Sequence, residues 1–316
     1  MSSAAVHLGI DTSNYTSSVA LYQKESGRLL QQRRPLPVRE GMLGLRQSDA
    51  LFQHTLQLPE LMRELFSKET ERPAAMGVSA RPRDAEGSYM PCFLAGVSAA
   101  QCAAAALGVP LYEFSHQAGH LAAALYSANR LDLREEPFLA FHVSGGTTEL
   151  LLVKPDAARI FHVSRIGGSL DLHAGQVIDR VGKQLGLPFP AGAELDRLAA
   201  NSTASFRPKP FVRGLDCSFS GLENQCGQMR EQGAAPEDVG RYCLAYICEA
   251  LSLLTRRALE QYGELPVVFS GGVMANSLLR AALGAAYHAV FAQPEFSTDN
   301  AAGIAVLTWL CHNGVV

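Results

Sequence analysis

The stretch VHLGIDTSNYTSSVALYQ, residues 6–23, decides the fold. An apolar run, VHLGI, passes through a turn of acid and hydroxyl side chains into a second apolar run, SVALYQ, which is the pattern of a β-hairpin. A similar pattern returns at Phe138–Val153, where FLAFHVS leads through Gly145, Gly146, Thr147 and Thr148 into ELLLV. Each hairpin is followed by helical patterning, at Asp49–Phe66 and Gly175–Leu185. Hairpins with such turns are common in α/β proteins, yet their recurrence with a helix behind each predicts two related α/β halves.

A third element, PVVFSGGVMANSLLR at 266–280, reads as a buried strand, a Gly-Gly turn and a helix whose first turn would aim N–H groups into a cleft. Two polar hairpin turns with a strand-Gly-Gly-helix junction make a nucleotide cradle of the actin, sugar-kinase and Hsp70 type. The expected fold is therefore α/β and two-lobed, with duplicated RNase H-like halves around a nucleotide cleft. The first lobe is expected at 1–113, completed by the last helix at about 299–316. The second is expected at 114–298, with insertions and the metal and nucleotide site. An apolar helix, Ala99–Leu107, stops at Gly108, and 201–216 reads as an exposed loop.

Composition agrees. The chain has 316 residues, 47% hydrophobic and 18% charged, with 27 Lys+Arg against 30 Asp+Glu for a formal net charge of −3. That excludes a disordered chain and fits about two domains. It also argues against a surface coated in positive charge, so a nucleic-acid partner would need a local basic patch or other subunits. Seven cysteines, at 92, 102, 217, 226, 243, 248 and 311, include no C-x-x-C pair, the pattern of a reducing compartment. The opening residues MSSAAVHLGIDTS show no basic region before an apolar core, and no apolar run reaches about 20 residues. The expectation is a cytoplasmic protein with no membrane association.

His116 and His120 are spaced i, i+4, which on a helix places both imidazoles on one face where they could share a metal ion. Two histidines need a third ligand. Asp299, at the start of an apolar helix, is a candidate, although aspartate there is also a good helix cap. Asp11 in the first turn would face phosphate or a phosphate-bound cation, or bond its own backbone as turn aspartates do. Ser144, Gly145, Gly146 and Thr147 could surround a phosphate with N–H and hydroxyl donors, or simply close a tight hairpin.

Taken together, GIDTSNYTSSVAL (9–21), SHQAGHL (115–121), HVSGGTTELL (142–151), LDLHAGQVIDRVGKQLGLPFPAGAELD (170–196), CSFSGLENQ (217–225), FSGGVMANSLLR (269–280) and STDNAAGIA (297–305) resemble, in order, the motifs of the TsaD family. This family is the catalytic subunit of tRNA threonylcarbamoyladenosine synthase, formerly labelled an O-sialoglycoprotein endopeptidase. The resemblance implies one divalent metal, iron or zinc, held by His116, His120 and Asp299. It implies an adenylate or ATP-type ligand, with Ser144, Gly145 and Gly146 along its phosphate or carbamoyl end. Asp179, Gly192 and Asp196 would meet its ribose or base, and Asn276 would close the site.

The implied activity is an acyltransferase reaction, transfer of threonylcarbamoyl from threonylcarbamoyl-AMP to the adenosine next to the anticodon in tRNA. The implied partners are tRNA, a related non-catalytic TsaB-like paralogue and a small TsaE-like ATPase. Basic surface for tRNA is expected from Arg207, Lys209 and Arg213, from the Arg28–Arg39 segment, or from other subunits. His116 is read as an exposed ligand whose replacement by alanine leaves the fold intact. HQAGH lacks the glutamate of H-E-x-x-H, so proteolysis finds no support.

The chain also departs from the family's pattern. Asn14, Tyr15 and Thr16 stand where the opening turn runs Cys-Asp-Glu, and Thr147 replaces a histidine. Leu172 and His173 replace Asp-Ala, and Gln176 replaces glutamate. ARPRDAEGSYMP (80–91) replaces a Gly-Pro-Gly turn, bringing Arg81 and Arg83 as candidate anion binders. Two alternatives follow: a TsaD-like paralogue that is a carbamoyl transferase or hydrolase on a non-tRNA acceptor, or a non-catalytic nucleotide-binding scaffold.

Overall fold

A computed structural model describes residues 5–13, 15–37, 45–69 and 71–314. The chain forms two compact units: Met1–Arg134, Pro155–Val163 and Thr298–Val316 make the first, and Glu135–Lys154 and Ser164–Ser297 the second.

The first unit opens with β1 (Val6–Asp11), β2 (Thr16–Gln23) and β3 (Arg28–Pro35), continues through α1 (Gln47–Phe66), β4 (Pro73–Arg81), α2 (Phe93–Leu107) and β5 (Leu111–Ser115), and reaches α3 (His116–Ser127). Its five strands lie in the order β3-β2-β1-β4-β5. β1 pairs antiparallel with β2 and parallel with β4, so β1 runs through the middle of the sheet. All six of its residues are buried, and apart from His7, which meets His312 at 3.0 Å, VHLGID is apolar on both faces up to its final acid. Helix α2 begins at Phe93, earlier than the Ala99 read from sequence, and ends as expected at Gly108 in the left-handed conformation.

The second unit contains β6 (Phe138–Val143), β7 (Thr148–Asp156) and β8 (Ile160–Ser169), of which 155–163 count with the first unit. It continues through α4 (Ala174–Gln184), α5 (Gly192–Ala199), β9 (Phe211–Arg213), β10 (Asp216–Ser218), α6 (Ser220–Glu231), α7 (Pro236–Tyr262), β11 (Val267–Ser270), α8 (Ser277–Tyr287) and β12 (Val290–Phe291). Its sheet order is β12-β11-β6-β7-β8-β10-β9. Read from the other side, β8-β7-β6-β11-β12 repeats the order of the first unit's β3-β2-β1-β4-β5. In both, the first strand pairs antiparallel with the second and parallel with the fourth. Two RNase H-like halves are thus present, and β9 and β10 extend the second. A large core of Phe141, Phe269, Leu150, Val177, Leu244 and neighbours holds this unit together.

The last helix, α9 (Ala302–His312), belongs to the first unit. The boundary falls at Arg134/Glu135 and not at 113/114. Helix α3 packs along α9, so both candidate histidines belong to the first unit and not the second. Among the described residues no helix is long and apolar enough to cross a membrane. None of the seven cysteines, all of them described, is in a disulfide.

His54 on α1 is fully buried, with its Nδ1 2.8 Å from Ser17 Oγ. Burial lowers its pKa from 6.5 to about 4, against the opposing charge of Asp11. The folded pKa lies below the unfolded one, so the contribution to stability is complete above pH 6.5 and lost as pH falls towards 4. Protonating this site costs up to about 3 kcal/mol. Thermal melts between pH 7 and 4.5 are expected to fall less steeply for His54→Gln than for the native chain. Parallel curves would contradict this.

Candidate metal and nucleotide site

Helix α3 starts where Ser115 caps it: Ser115 Oγ accepts from Ala118 N at 3.2 Å. The i, i+4 spacing then stacks His116 over His120 with ring centroids 4.3 Å apart. Helix α9 crosses α3 at close range, since a Cβ on Gly303 would lie 1.8 Å from Gly119 O. Only glycine permits that approach, and it carries Asp299 to the histidines. Asp299 Oδ1 lies 3.5 Å from His116 Nε2 and 3.4 Å from His120 Nε2.

Asp299 is therefore not the helix cap. The α9 N-cap is Ala301, and Asn300 Oδ1 accepts from Ala302 N at 3.0 Å. Among the described residues, His116, His120 and Asp299 form the group able to hold a metal ion, with their donor atoms within 4.8 Å of one another. Tetrahedral ligands about 2.0–2.2 Å from an ion sit about 3.4 Å apart, so the two separations of Asp299 from the histidines fit. Imidazole and carboxylate donors suit zinc, iron or manganese.

Asp11 completes the arrangement in a way the sequence did not announce. Its Oδ1 accepts from Ser13 N at 2.6 Å, the turn bond expected of it, while Oδ2 lies 2.6 Å from His116 Nδ1. This carboxylate–histidine pair fixes the ring so that Nε2 faces Asp299. Burial disfavours the charged imidazolium, but the charge and hydrogen bond of Asp11, then those of Asp299, outweigh it and raise the His116 pKa to about 10. The same contacts hold Asp11 and Asp299 below the usual carboxylate range despite their burial. The His116 side chain is 19% exposed and that of Asp11 1%. His116 is thus the partner of a buried charge, not an exposed ligand, and its removal disturbs the fold as well as the site.

The divergent segment at 80–91 supports α3. Ser115 Oγ donates to Asp84 Oδ2 at 2.7 Å, and Asp84 Oδ1 accepts from Arg81 Nε at 2.9 Å and Nη2 at 2.7 Å. Gln117 N donates to Pro82 O. Arg81, a candidate anion binder, is committed to Asp84. Removing this brace by Asp84→Ala is expected to weaken zinc binding about tenfold, the lower end for an outer-shell partner, as read by chelator competition. Unchanged zinc affinity would contradict it. Of the altered opening turn, Asn14 lies outside the described residues, and Tyr15 is exposed at 40%.

In the second unit, the β6–β7 turn is closed by Ser144 N donating to Thr147 O at 2.7 Å, with Gly146 N on Ser144 Oγ at 3.3 Å. Helix α4 approaches closely: Gly175 N donates to Ser144 O, and a Cβ on Gly175 would lie 2.7 Å from Gly145 Cα. Gly271, with φ +96°, would place a Cβ 2.3 Å from Val143 O. These two glycines are required by the fold. Gln176 keeps a capping bond, its Oε1 accepting from His173 N at 2.9 Å, so the exchange from glutamate spares the start of α4.

The remaining predicted residues are tied to one another. Asp179 Oδ1 accepts from Ala191 N at 2.8 Å, immediately before Gly192 opens α5. Asp196 takes Ser277 N at 2.8 Å and Ser277 Oγ at 2.9 Å, and Asn276 Oδ1 caps α8 through Leu278 N and Leu279 N. Asp179, Gly192, Asp196 and Asn276 are thus brought together where α4, α5 and α8 meet. One expectation is corrected: a 3₁₀ turn at Gly272–Ala275 separates the Gly-Gly pair from α8, and Asn276 and Asp196 already take that helix's first N–H groups.

Four glycines have no structural reason to be glycine. Among the described glycines, Gly145, Gly146, Gly192 and Gly272 alone combine open space at the Cβ position with a φ outside the left-handed region. Three were singled out by sequence and Gly272 was missed, although it is the second half of the Gly-Gly signal. All four lie in the second unit, and the backbone at each is open to close approach.

The fold is shared with full-length HypF in its phosphate- and nucleotide-bound form, at TM-score 0.61 and 13% identity over 98% of this chain and 46% of that one. It is shared with component A of (R)-2-hydroxyglutaryl-CoA dehydratase from Acidaminococcus fermentans, at 0.56 and 14% over 99% and 100%. The ethanolamine utilization protein EutJ from Carboxydothermus hydrogenoformans matches at 0.51 and 12% over 96% and 89%. The chain spans less than half the length of the HypF it matches. These likenesses establish the actin-like two-unit fold. A sequence profile covers residues 48–306, from α1 into α9, and by it the chain belongs to the TsaD family, tRNA N6-adenosine threonylcarbamoyltransferase.

Proposed function

We propose that this protein transfers a threonylcarbamoyl group from threonylcarbamoyl-AMP to the adenosine next to the anticodon in tRNA. The observation that carries the reading is the convergence of His116, His120 and Asp299, with Asp11 fixing the first histidine. A scaffold that only bound nucleotide would have no need of that arrangement.

The exocyclic amine of adenosine bonds the carbamoyl carbon, the anhydride C–O bond breaks, AMP departs and the amine's proton passes to solvent. An aryl amine is a poor base and AMP a good leaving group, so the reaction needs little proton transfer. It needs the developing charge on carbonyl and phosphate oxygens to be met by fixed positive groups. A divalent ion, when bound by His116, His120 and Asp299, supplies Lewis-acid polarisation of such an oxygen. Asp11 keeps the His116 ring in place, and the Ser144–Thr147 turn, with no side chain on Gly145 or Gly146, lets backbone reach the phosphate. Asp179, Asp196 and Asn276 hold α4, α5 and α8 around the nucleoside.

The test is to incubate the protein with unmodified tRNA and threonylcarbamoyl-AMP, with and without a TsaB-like paralogue and a TsaE-like ATPase, and to detect modified adenosine by mass spectrometry. Product under one of these conditions is expected. None under any would favour transfer to a non-tRNA acceptor, the second reading, to which the exchanges at Tyr15, Thr16 and Thr147 point.

A further inference from the structure

A pocket of about 590 Å³ opens on the second unit between α7, α8 and the extended segment at 203–210. Its floor is apolar, built by Leu244, Ala245 and Cys248 of α7 with Leu278 and Ala282 of α8. Burial, then the charge of Glu249, pushes the Cys248 thiol up to about 11, so the floor carries no thiolate. Three cations line the same pocket: Arg207 and Lys209 from the segment, and Arg241 from α7.

In that segment exposure alternates. Arg207 and Lys209 are exposed, while Phe206, Pro208 and Pro210 are half-buried. The Phe206 ring packs edge-on against Tyr242 at 5.4 Å, which anchors the backbone and leaves the two cations standing out.

None of the three cations makes an ion pair or side-chain hydrogen bond with a described residue, in contrast to Arg81, Arg180 and Arg197, each of which meets a carboxylate. Glu249 is the one acid in the lining. In a chain of net charge −3, unpaired cations gathered over an apolar floor are a local exception. Their charge calls for phosphates, and the lining adds one aromatic ring, Phe206, beside the apolar floor; cations along a backbone with an aromatic face for a base are the means by which single-stranded nucleic acid is held without sequence preference. Leu278 lies two residues beyond Asn276, so the pocket adjoins the residues assigned to the nucleoside.

We infer that this pocket binds a single-stranded segment of RNA, with Arg207, Lys209 and Arg241 on its phosphates. The occupant is argued from the pocket's charge and floor; that the RNA is the acceptor tRNA rests on the function proposed above. The test is direct binding of a fluorescent single-stranded RNA and of a tRNA anticodon stem-loop to the full chain, measured across salt concentrations. Each single-strand phosphate contact contributes about 0.7 to the slope of log K against log salt. Arg207→Glu/Lys209→Glu is expected to weaken both RNAs at least tenfold and to lower the slope by about 1.4, with an unchanged melting temperature. Arg241→Gln should act in the same direction.

Unchanged affinity and slope in the double variant would overturn the inference. So would failure of the native chain to bind either RNA, or equal binding of a poly-glutamate peptide, which would make the pocket a general acidic-peptide groove. Because binding is read without transfer, the two proposals fail separately. Native transfer with RNA binding indifferent to the double variant removes only the pocket; RNA binding lost in the variant with no transfer by the native chain removes only the function.

Discussion

Replacing His120 by alanine is expected to weaken metal binding at least a hundredfold and to lower threonylcarbamoyl transfer by about 10³, with the protein still folded. His120 offers Nε2 to the same Asp299 oxygen as His116, and two remaining ligands hold a divalent ion poorly. Loss of a preorganised electrophile of this kind costs about 10²–10³ in rate. His116→Ala is expected to lose as much activity and to behave differently in a melt. Asp11 has a 1% exposed side chain and would lose the ring N–H that His116 Nδ1 offers it at 2.6 Å, and stranding a buried charge costs about 3–5 kcal/mol. Two histidines one helical turn apart thus separate by a stability measurement: a large loss for His116→Ala and a small one for His120→Ala. Equal melting temperatures would contradict the assignment of Asp11 as the partner of His116.

The second large effect distinguishes glycines the fold requires from glycines a ligand requires. Gly271→Ala places a methyl 2.3 Å from Val143 O at a φ of +96°, and a backbone position strained in both respects is expected to cost about 3 kcal/mol or more. Gly145→Ala places its methyl in open space with no unfavourable φ. It should melt within a degree or two of the native chain yet bind AMP or ATP about a hundredfold more weakly, as calorimetric titration would show. A Gly145→Ala protein with native nucleotide affinity would remove the phosphate role of the Ser144–Thr147 turn.

Much of this was legible in the chain because it is local. The two hairpins and the i, i+4 histidines are each set by residues within a few positions of one another, and each folds as read; the Gly-Gly junction does so only in part, since a 3₁₀ turn intervenes before α8. What the sequence could not show depends on residues far apart. Asp11 and His116 are separated by 105 positions, and nothing in the spacing of either reveals that β1 delivers the acid to the first residue of α3. The same holds for Asp84 and Ser115, although a serine directly before an amphipathic start is a cap signal that marks where α3 begins. The unit boundary was misplaced for a related reason: α3 follows β5 in sequence but packs on α9, through the Gly119–Gly303 contact, near the other end of the chain. Asp299 looked like a cap because it lies just before α9, where its neighbour Asn300 takes the N–H of Ala302. Gly272 was passed over because a Gly-Gly pair reads as a single turn, when only Gly271 serves the turn.

The proposed function has the triad of the first unit drive carbamoyl transfer to tRNA. Its most direct test counts bound metal and modified adenosine on the same samples: native protein, protein stripped by chelator, and stripped protein reloaded with zinc or iron(II), each given threonylcarbamoyl-AMP, unmodified tRNA and the partner proteins. Product is expected to follow metal occupancy, to disappear on stripping, to return on reloading, and not to return in His120→Ala. Full modification by the metal-free protein would contradict it.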